Sequence, residues 1–462
     1  MRIELFAVII IFSLIFSGCA KTAAEDPLPV RRPLGAEIST FNAPVIDEKA
    51  GILPAADRSG PDFVNPRGVI NLRKALALAL LENPELKAFS WQVRSSQAAQ
   101  LQASLKPNPE LSLDVEDFGG KGALRRFKGY ESTLAVSQRI EVAGKRKKRT
   151  KVATLEKKIA GLEYENKRLA VFTDVTKAYT DVLSAQQKVQ LEGELWRLSE
   201  ELVRTVSVRV ESGKDPSLDE TKAQIVLSNI EILYRQAKND LDFARSNLAS
   251  LWLGAPKFKK AEGVLQMPSE IPTLDKITGY LDENPEVVQS DVEVEKAKAA
   301  YQLEKARGKQ DVTISGGVKR VEQNNSNAFI VGVTIPIAIN NRNQGERRRA
   351  IYQYAKAIQQ QKAVRNKLET FLAGFYKEMA NAFTEAKELK EDLIPAAKGV
   401  FQASKTSYEQ GKLDYLNVLD SQRVLFLSLS RHVEALRDYH KAKAEVERLI
   451  ARPIPKIQTS KK

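Results

Sequence analysis

The chain has 462 residues, a formal net charge of +14 and a single cysteine. That length accommodates two or three ordinary domains, or one extended architecture built from a repeated unit, while one thiol rules out an internal disulfide framework and a cysteine-based zinc knuckle. A balance this basic would point to nucleic acid in a cytoplasmic protein; the N-terminus argues against that reading.

Arg2 precedes an apolar run from Leu5 to Phe16, too short for a membrane-spanning helix, and Ser17-Gly18-Cys19 follows directly. Residues 1–18 therefore read as a signal peptide. Cys19 sits where a bacterial lipoprotein is cut and acylated, although Phe16 stands where that pattern usually has Leu. Residue 20 is Ala, not the Asp that commonly retains a lipoprotein in the inner membrane, which favours the outer membrane. Residues 19–68, rich in Pro, Gly, Ala and charge and without apolar periodicity, read as a tether between lipid and body. An exported chain of this kind is not expected to meet nucleic acid.

Beyond the tether the chain matches itself. Asn83-Pro84-Glu85-Leu86 recurs as Asn284-Pro285-Glu286-Val287, an offset of 201 residues. The same offset aligns Leu111-Ser112-Leu113 with Val312-Thr313-Ile314 and Gly144-Lys145-Arg146 with Gly345-Glu346-Arg347; further on, Gly213-Lys214 faces Gly411-Lys412 at an offset of 198. Residues 69–254 and 255–452 are two copies of one unit, followed by a short tail over 453–462.

Each copy reads as helix, two strands, a very long helix and a returning helix. Leu72 to Leu105 is rich in Ala and Leu, with Pro84 near a break and Pro107 at its end. The period then drops from 3.6 to 2. Leu111, Leu113 and Val115 alternate with Ser112, Asp114 and Glu116, and Leu134, Val136 and Ile140 alternate with Ala135, Ser137, Arg139 and Glu141, although Gln138 breaks the apolar row. Val312, Ile314 and Val318, then Phe329, Val331, Val333 and Ile335, repeat the pattern, with Pro336 placed at a strand end. No proline follows from Lys145 to Asp215, and apolar residues from Leu155 to Val210 step by three or four or by sums of these, which predicts one helix on the order of 100 Å long. Gly213 and Pro216 turn the chain, Gly411 does so in the second copy, and Pro395 is expected to kink the outgoing helix there.

Strands with one oily and one wet face fit a transmembrane barrel, with lipid outside and water inside. Four strands cannot close such a barrel, and an open edge cannot be left in lipid. Several chains must share it; two would supply eight strands and three would supply twelve. The long hairpins would then extend from one end as a duct across an aqueous compartment.

The doubled Asn-Pro-Glu helices, the Ile140-Glu141-Val142-Ala143-Gly144-Lys145-Arg146 exit and Ile335-Pro336-Ile337 leading into Asn341-Arg342-Asn343-Gln344-Gly345 resemble the TolC-like outer-membrane efflux family over roughly residues 70 to 452. The last exit and the Gly316-Gly317-Val318-Lys319-Arg320 strand resemble its CzcC-type branch, which serves heavy-metal pumps. The resemblance implies a mainly α fold with a transmembrane β-barrel. In it, long helical hairpins form a periplasmic tunnel, and four strands per chain contribute to a shared 12-stranded barrel in a homotrimer. It also implies a periplasmic adaptor (membrane fusion protein) and an inner-membrane resistance-nodulation-division pump as partners, heavy-metal cations as cargo, no cofactor and no catalysis. The same resemblance places a gate at Asp219, Tyr408 and Asp420, with Tyr408 bonded to Asp219 and three copies of Asp420 ringing the entrance. It places adaptor contacts at the tips, Gly213, Lys214, Gly411 and Lys412. Leu413 and Asn417 depart from the family's charged pattern, so fewer charged links are expected at the tip; the plainer reading of these acids is as caps near a turn.

Lys145, Arg146, Lys147, Lys148 and Arg149, with Arg347, Arg348 and Arg349, start the two long helices where a barrel would end, and suggest a collar on anionic lipid headgroups. They oppose the helix dipole, so something must compensate. His432 and His440 are the only histidines and give no metal pattern. Phe118-Gly119-Gly120-Lys121-Gly122 lacks the spacing of a phosphate cradle. Two rival readings stay open: the same duct serving drugs or secreted proteins, and a periplasmic coiled-coil adaptor or scaffold lipoprotein, which would need only one hairpin.

Overall fold

A computed structural model describes residues 33–46, 65–122 and 129–455; the signal peptide, Cys19 and most of the tether lie outside them. The first copy opens with a short strand β1 (Gly68–Ile70), α1 (Leu72–Glu82) and α2 (Pro84–Ser104), then β2 (Glu110–Glu116), β3 (Glu131–Ile140), α3 (Lys145–Glu211) and α4 (Ser217–Ser250). A strand β4 (Phe258–Ala261) and α5 (Leu274–Thr278) lead to the second copy: α6 (Pro285–Arg307), β5 (Val312–Val321), β6 (Ser326–Thr334), α7 (Gln344–Glu388), α8 (Ile394–Glu409) and α9 (Tyr415–Leu449).

The Asn-Pro-Glu motif has the same physical job in both copies. Pro starts the helix where no N–H is needed, and the Asn before it caps the first turn: Asn83 accepts from Leu86 N at 3.1 Å and Asn284 from Glu286 N at 2.7 Å. Each amide group also donates to the end of its own copy, Asn83 Nδ2 to Leu251 O at 3.0 Å and Asn284 Nδ2 to Leu449 O at 2.8 Å. The motif therefore closes each repeat on itself.

α3 spans 67 residues, about 100 Å at 1.5 Å per residue. Its predicted apolar seam is buried, from Leu155, Ile159 and Leu162 through Val175 and Val182 to Leu202 and Val206. It runs antiparallel beside α9, joined by Lys177–Glu445 at 2.7 Å, Asp181–Lys441 at 3.0 Å and Lys188–Glu434 at 3.9 Å. In the second copy the outgoing helix is interrupted: Leu389–Leu393 is a π turn between α7 and α8, ending just before Pro395. The missing proline N–H and its ring force this widening.

The four strands form one antiparallel sheet in the order β2-β3-β5-β6. Register stacks Leu111 on Val136 and Leu113 on Leu134, Leu134 on Val318, and Val318 on Phe329, so one face is a continuous apolar surface. It is bare in the single chain, with Phe329 75% and Val331 81% exposed. The other face carries Ser112, Asp114, Thr133, Ser315 and Lys319, the last paired with Glu131. Among the described residues both outer edges, β2 and β6, are unpaired, and they run in opposite directions.

Three expectations need correction. Part of the tether belongs to the body: Leu34 and Ala43 are buried, and β1 begins at Gly68 and pairs in parallel with β4. Strands of three and four residues show no periodicity in sequence. The repeat alignment sets Gly345 against Gly144, whereas the structural equivalent of Gly144 (φ 66°) is Asn343, in the left-handed region with φ 62° ahead of the second long helix. The third concerns the hairpin tip, described next.

Candidate functional site: the hairpin tips and the helix collar

Both tips end alike because glycine reaches the left-handed region without strain. Gly213 (φ 71°) donates to Val210 O at 2.9 Å and Lys214 N to Arg209 O at 2.8 Å; Gly411 (φ 75°) and Lys412 N repeat this to Tyr408 O and Ser407 O, each at 2.8 Å. Lys214 and Lys412 are exposed at the ends.

Between the tips lies a compact polar cluster. Arg209 clasps Asp215 through Nε at 2.8 Å and Nη2 at 3.0 Å, Tyr408 donates to the same carboxylate at 2.5 Å, and the guanidinium sits 4.6 Å from the Tyr408 ring centroid. Tyr408 itself is buried beside Tyr415, 5.8 Å between centroids. The Arg209 hydrogen bonds hold the Asp215 carboxyl below its ordinary range, and Asp215 in turn raises the Arg209 guanidinium. Burial, then the bond to Asp215, pushes the Tyr408 phenol up. This cluster joins the first hairpin to the second within one chain.

The partner of Tyr408 is thus Asp215, not Asp219 as expected. Asp219 stands in the first turn of α4 and pairs with Lys222 at 3.0 Å; it reaches Tyr415 only through space, and burial and this charge together push that phenol to about 12. Counting along the chain could not choose between two acids four residues apart. The missed signal was Arg209, a base in the last turn of α3 six residues before an acid across a glycine turn. It supplies the charged link that Leu413 does not. Asp420 is exposed on α9 and has no ion-pair partner among the described residues.

The basic collar divides. Lys145 is buried and pairs with Asp311 at 2.7 Å; Arg149 grips Glu141 at 2.5 Å and donates to the carbonyls of Ala103 and Leu105; Lys148 donates to Ala143 O at 2.6 Å. These three fasten α3 to the sheet and α2, and Asp311 and Glu141 are the acids that offset the unfavourable helix start. For Lys145 and Arg149 this corrects the lipid-facing expectation. Arg347 is half-buried, while Arg146, Lys147, Arg348 and Arg349 face outward, Arg349 beside Glu346.

Among the described residues no three His, Cys, Asp or Glu converge as a metal site. His440 lies 2.9 Å from Gln266 O, and burial lowers the pKa of both histidines.

Compared with known proteins, the chain matches the family described as outer membrane efflux protein over residues 75–254 and 277–452, which follow the two repeats. It is 32% identical over 386 residues to the cobalt-zinc-cadmium resistance protein CzcC of Cupriavidus metallidurans, covering 83% of this chain and 91% of that protein. It is 22% identical over 456 residues to the probable outer membrane lipoprotein SilC of Salmonella typhimurium, covering 92% and 93%. The outer membrane protein VceC of Vibrio cholerae shares the fold, with a TM-score of 0.69 at 16% identity over 83% of this chain and 97% of that one.

Proposed function

The chain belongs to the outer membrane efflux protein family and is an efflux channel of the outer membrane, and from that premise we propose that three copies form a lipid-anchored, passive exit duct for heavy-metal cations. The observation that carries this is the open-edged sheet set on the end of a 67-residue helix. Edges running in opposite directions allow β6 of one copy to pair antiparallel with β2 of the next, so three copies close twelve strands and leave no edge in lipid. The face of Leu113, Leu134, Val318 and Phe329 then meets lipid, and that of Asp114, Thr133 and Lys319 lines the lumen.

The helices continue the lumen as a tunnel whose far end is the pair of tips. A periplasmic adaptor would meet Gly213, Lys214, Gly411 and Lys412, and a resistance-nodulation-division pump in the inner membrane would supply the energy. The resting tip is held by Arg209, Asp215 and Tyr408, and three copies of Asp420 would draw cations to the entrance. Arg146, Lys147, Arg348 and Arg349 face the height at which headgroups would lie. Acylated Cys19 would anchor each copy; the likeness to SilC, a probable outer membrane lipoprotein, supports this, and the likeness to CzcC, a cobalt-zinc-cadmium resistance protein, supports metal cargo. Cargo passes without coordination, so selectivity lies in the pump.

Planar-bilayer recordings of the mature protein test the duct and its tip together. Stepwise conductance should rise when Tyr408→Phe is combined with Asp215→Asn, and cation preference should fall with Asp420→Ala. Wide pores insensitive to these changes would discard the gate; absence of any pore would discard the duct. Loss of cobalt, zinc or cadmium tolerance on deletion, with unchanged drug tolerance, is expected for the cargo, and the reverse pattern would overturn it.

A further inference from the structure

Toward the tips the helices lie in one row, α4 beside α3, α3 beside α9 and α9 beside α8, so α4 and α8 are its two ends. The seam in the middle of the row, where the two hairpins of one copy meet, is tied by polar links. Lys405 pairs with Glu201 at 2.8 Å, Gln422 Nε2 donates to Ser199 Oγ at 2.9 Å, and Arg209, Asp215 and Tyr408 close the tip. Gln422 is buried and its Oε1 has no hydrogen-bond partner among the described residues, a standing cost that water relieves when the seam parts.

The two ends of the row present uncharged faces instead. On the π turn and α8, Leu393, Ala396, Val400 and Ala403 recur at steps of three and four, and on α4 Leu218, Ile225 and Ile232 recur at seven; all are exposed, Val400 at 59% and Ile225 at 57%. Such spacing keeps each set on one helix face. The two faces also stand level. Leu393 and Val400 lie 18 and 11 residues from Gly411, and Ile232 and Ile225 lie 19 and 12 from Gly213. Ser199 and Gln422, which bond to each other, lie 14 and 11 from the same glycines, so the two tips are offset by three residues, roughly 5 Å and less than one turn. A three-fold axis along the duct preserves these heights and brings the α8 end of one copy to the α4 end of the next, just as it brings β6 to β2.

We propose that α8 seats on α4 of the next copy through these two faces, and that the moving part of the opening tip is this pair of hairpins from two chains. Each second hairpin leaves the first hairpin of its own copy and travels with that of its neighbour. The proposal rests on the three-copy duct and its gate. Parting the seam within a copy breaks charged and hydrogen-bonded links that water replaces. Leu202 and Val206 of α3 also pack there, but their cluster includes Ala223 of α4, so they keep a neighbour in their own hairpin. Parting the seam between copies would bare Leu393, Val400, Ile225 and Ile232 with no polar group regaining water.

Disulfides placed in the two seams test this in the unlocked channel, Tyr408→Phe with Asp215→Asn, recorded in planar bilayers; the parent's only cysteine is Cys19. Ser199→Cys with Gln422→Cys ties the seam within a copy, and Val400→Cys with Ile225→Cys ties that between copies. Leu393→Cys with Ile232→Cys is a second between-copy pair in case the first disturbs assembly. Oxidation should turn the between-copy pair into a covalent trimer on a denaturing gel and leave the conductance of the unlocked channel as it was. Oxidation of the within-copy pair should leave single chains and remove the conductance gained by unlocking, and reduction should restore it. A between-copy disulfide that closes the channel, or a within-copy one that leaves it open, overturns the proposal while the duct stands. So does failure of both between-copy pairs to cross-link in a protein that is trimeric by light scattering. If unlocking raises no conductance, the gate falls and the proposal with it; a parent that is never trimeric overturns the duct as well.

Discussion

Asn83 and Asn284 each hold two ends of a repeat at once, capping a helix with one side-chain atom and tying a returning helix with the other. Asn284→Ala should cost roughly 2 kcal/mol, the sum of a lost cap and an orphaned Leu449 carbonyl, while Asn284→Ser keeps a capping oxygen and should cost less; denaturant unfolding of the detergent-solubilised protein ranks the two. His432 and His440 carry the destabilising share of the pH dependence just below neutrality; Asp174, Glu192 and Glu447, whose pKa burial raises, act in the opposite sense. Burial lowers both histidines, helped by Lys390 near the first and Lys443 near the second. Folded, they bind protons less readily than unfolded, so stability present above about pH 6.5 is lost as pH falls from there through their depressed values. The melting temperature should drop between pH 7 and 5, and His432→Gln with His440→Gln should flatten that slope. Asp215, lowered by Arg209, adds its loss only below about pH 4, its unfolded range. The Asn positions were legible because a doubled motif announces itself. The Arg209 and Asp215 partnership was not, because it depends on how two tips meet.

At the scale of elements, the two copies share a plan but differ in the continuity of the outgoing helix. α3 runs unbroken, whereas its counterpart carries the π turn Leu389–Leu393 ahead of Pro395. Beside that turn α9 places Arg431 on Glu385 at 2.5 Å and His432 against the Ala386 carbonyl. Pro395→Ala restores a backbone donor and should let the helix run regularly; a gain of about 1 kcal/mol would slow amide exchange across residues 389–393 roughly five-fold. That the helix is interrupted here was legible from proline alone. Its form as a π turn was not, since the sequence says where a hydrogen bond is missing but not how the chain absorbs the loss.

The whole molecule is organised by its apolar sheet face. Val331→Lys in the middle of that face should cost roughly 2–4 kcal/mol per copy at the membrane midplane, seen as loss of assembled protein from the outer-membrane fraction. Ser315→Lys, on the opposite face, should assemble as the parent does. This division was legible from strand alternation, and so were the long helices from their seam. The β1–β4 pair and the docked end of the tether were not: they are too short for a period and are held by single side chains on distant elements.

One feature governs how such a protein comes into being. A lone copy presents two bare strand edges and a broad oily face, which makes it a poor solute in water and in lipid alike. Insertion must therefore wait for company, and its rate at low abundance should climb roughly as the cube of chain concentration. A cell making half as much of the chain would gain far fewer than half as many ducts, a dosage threshold written into the edge of a sheet.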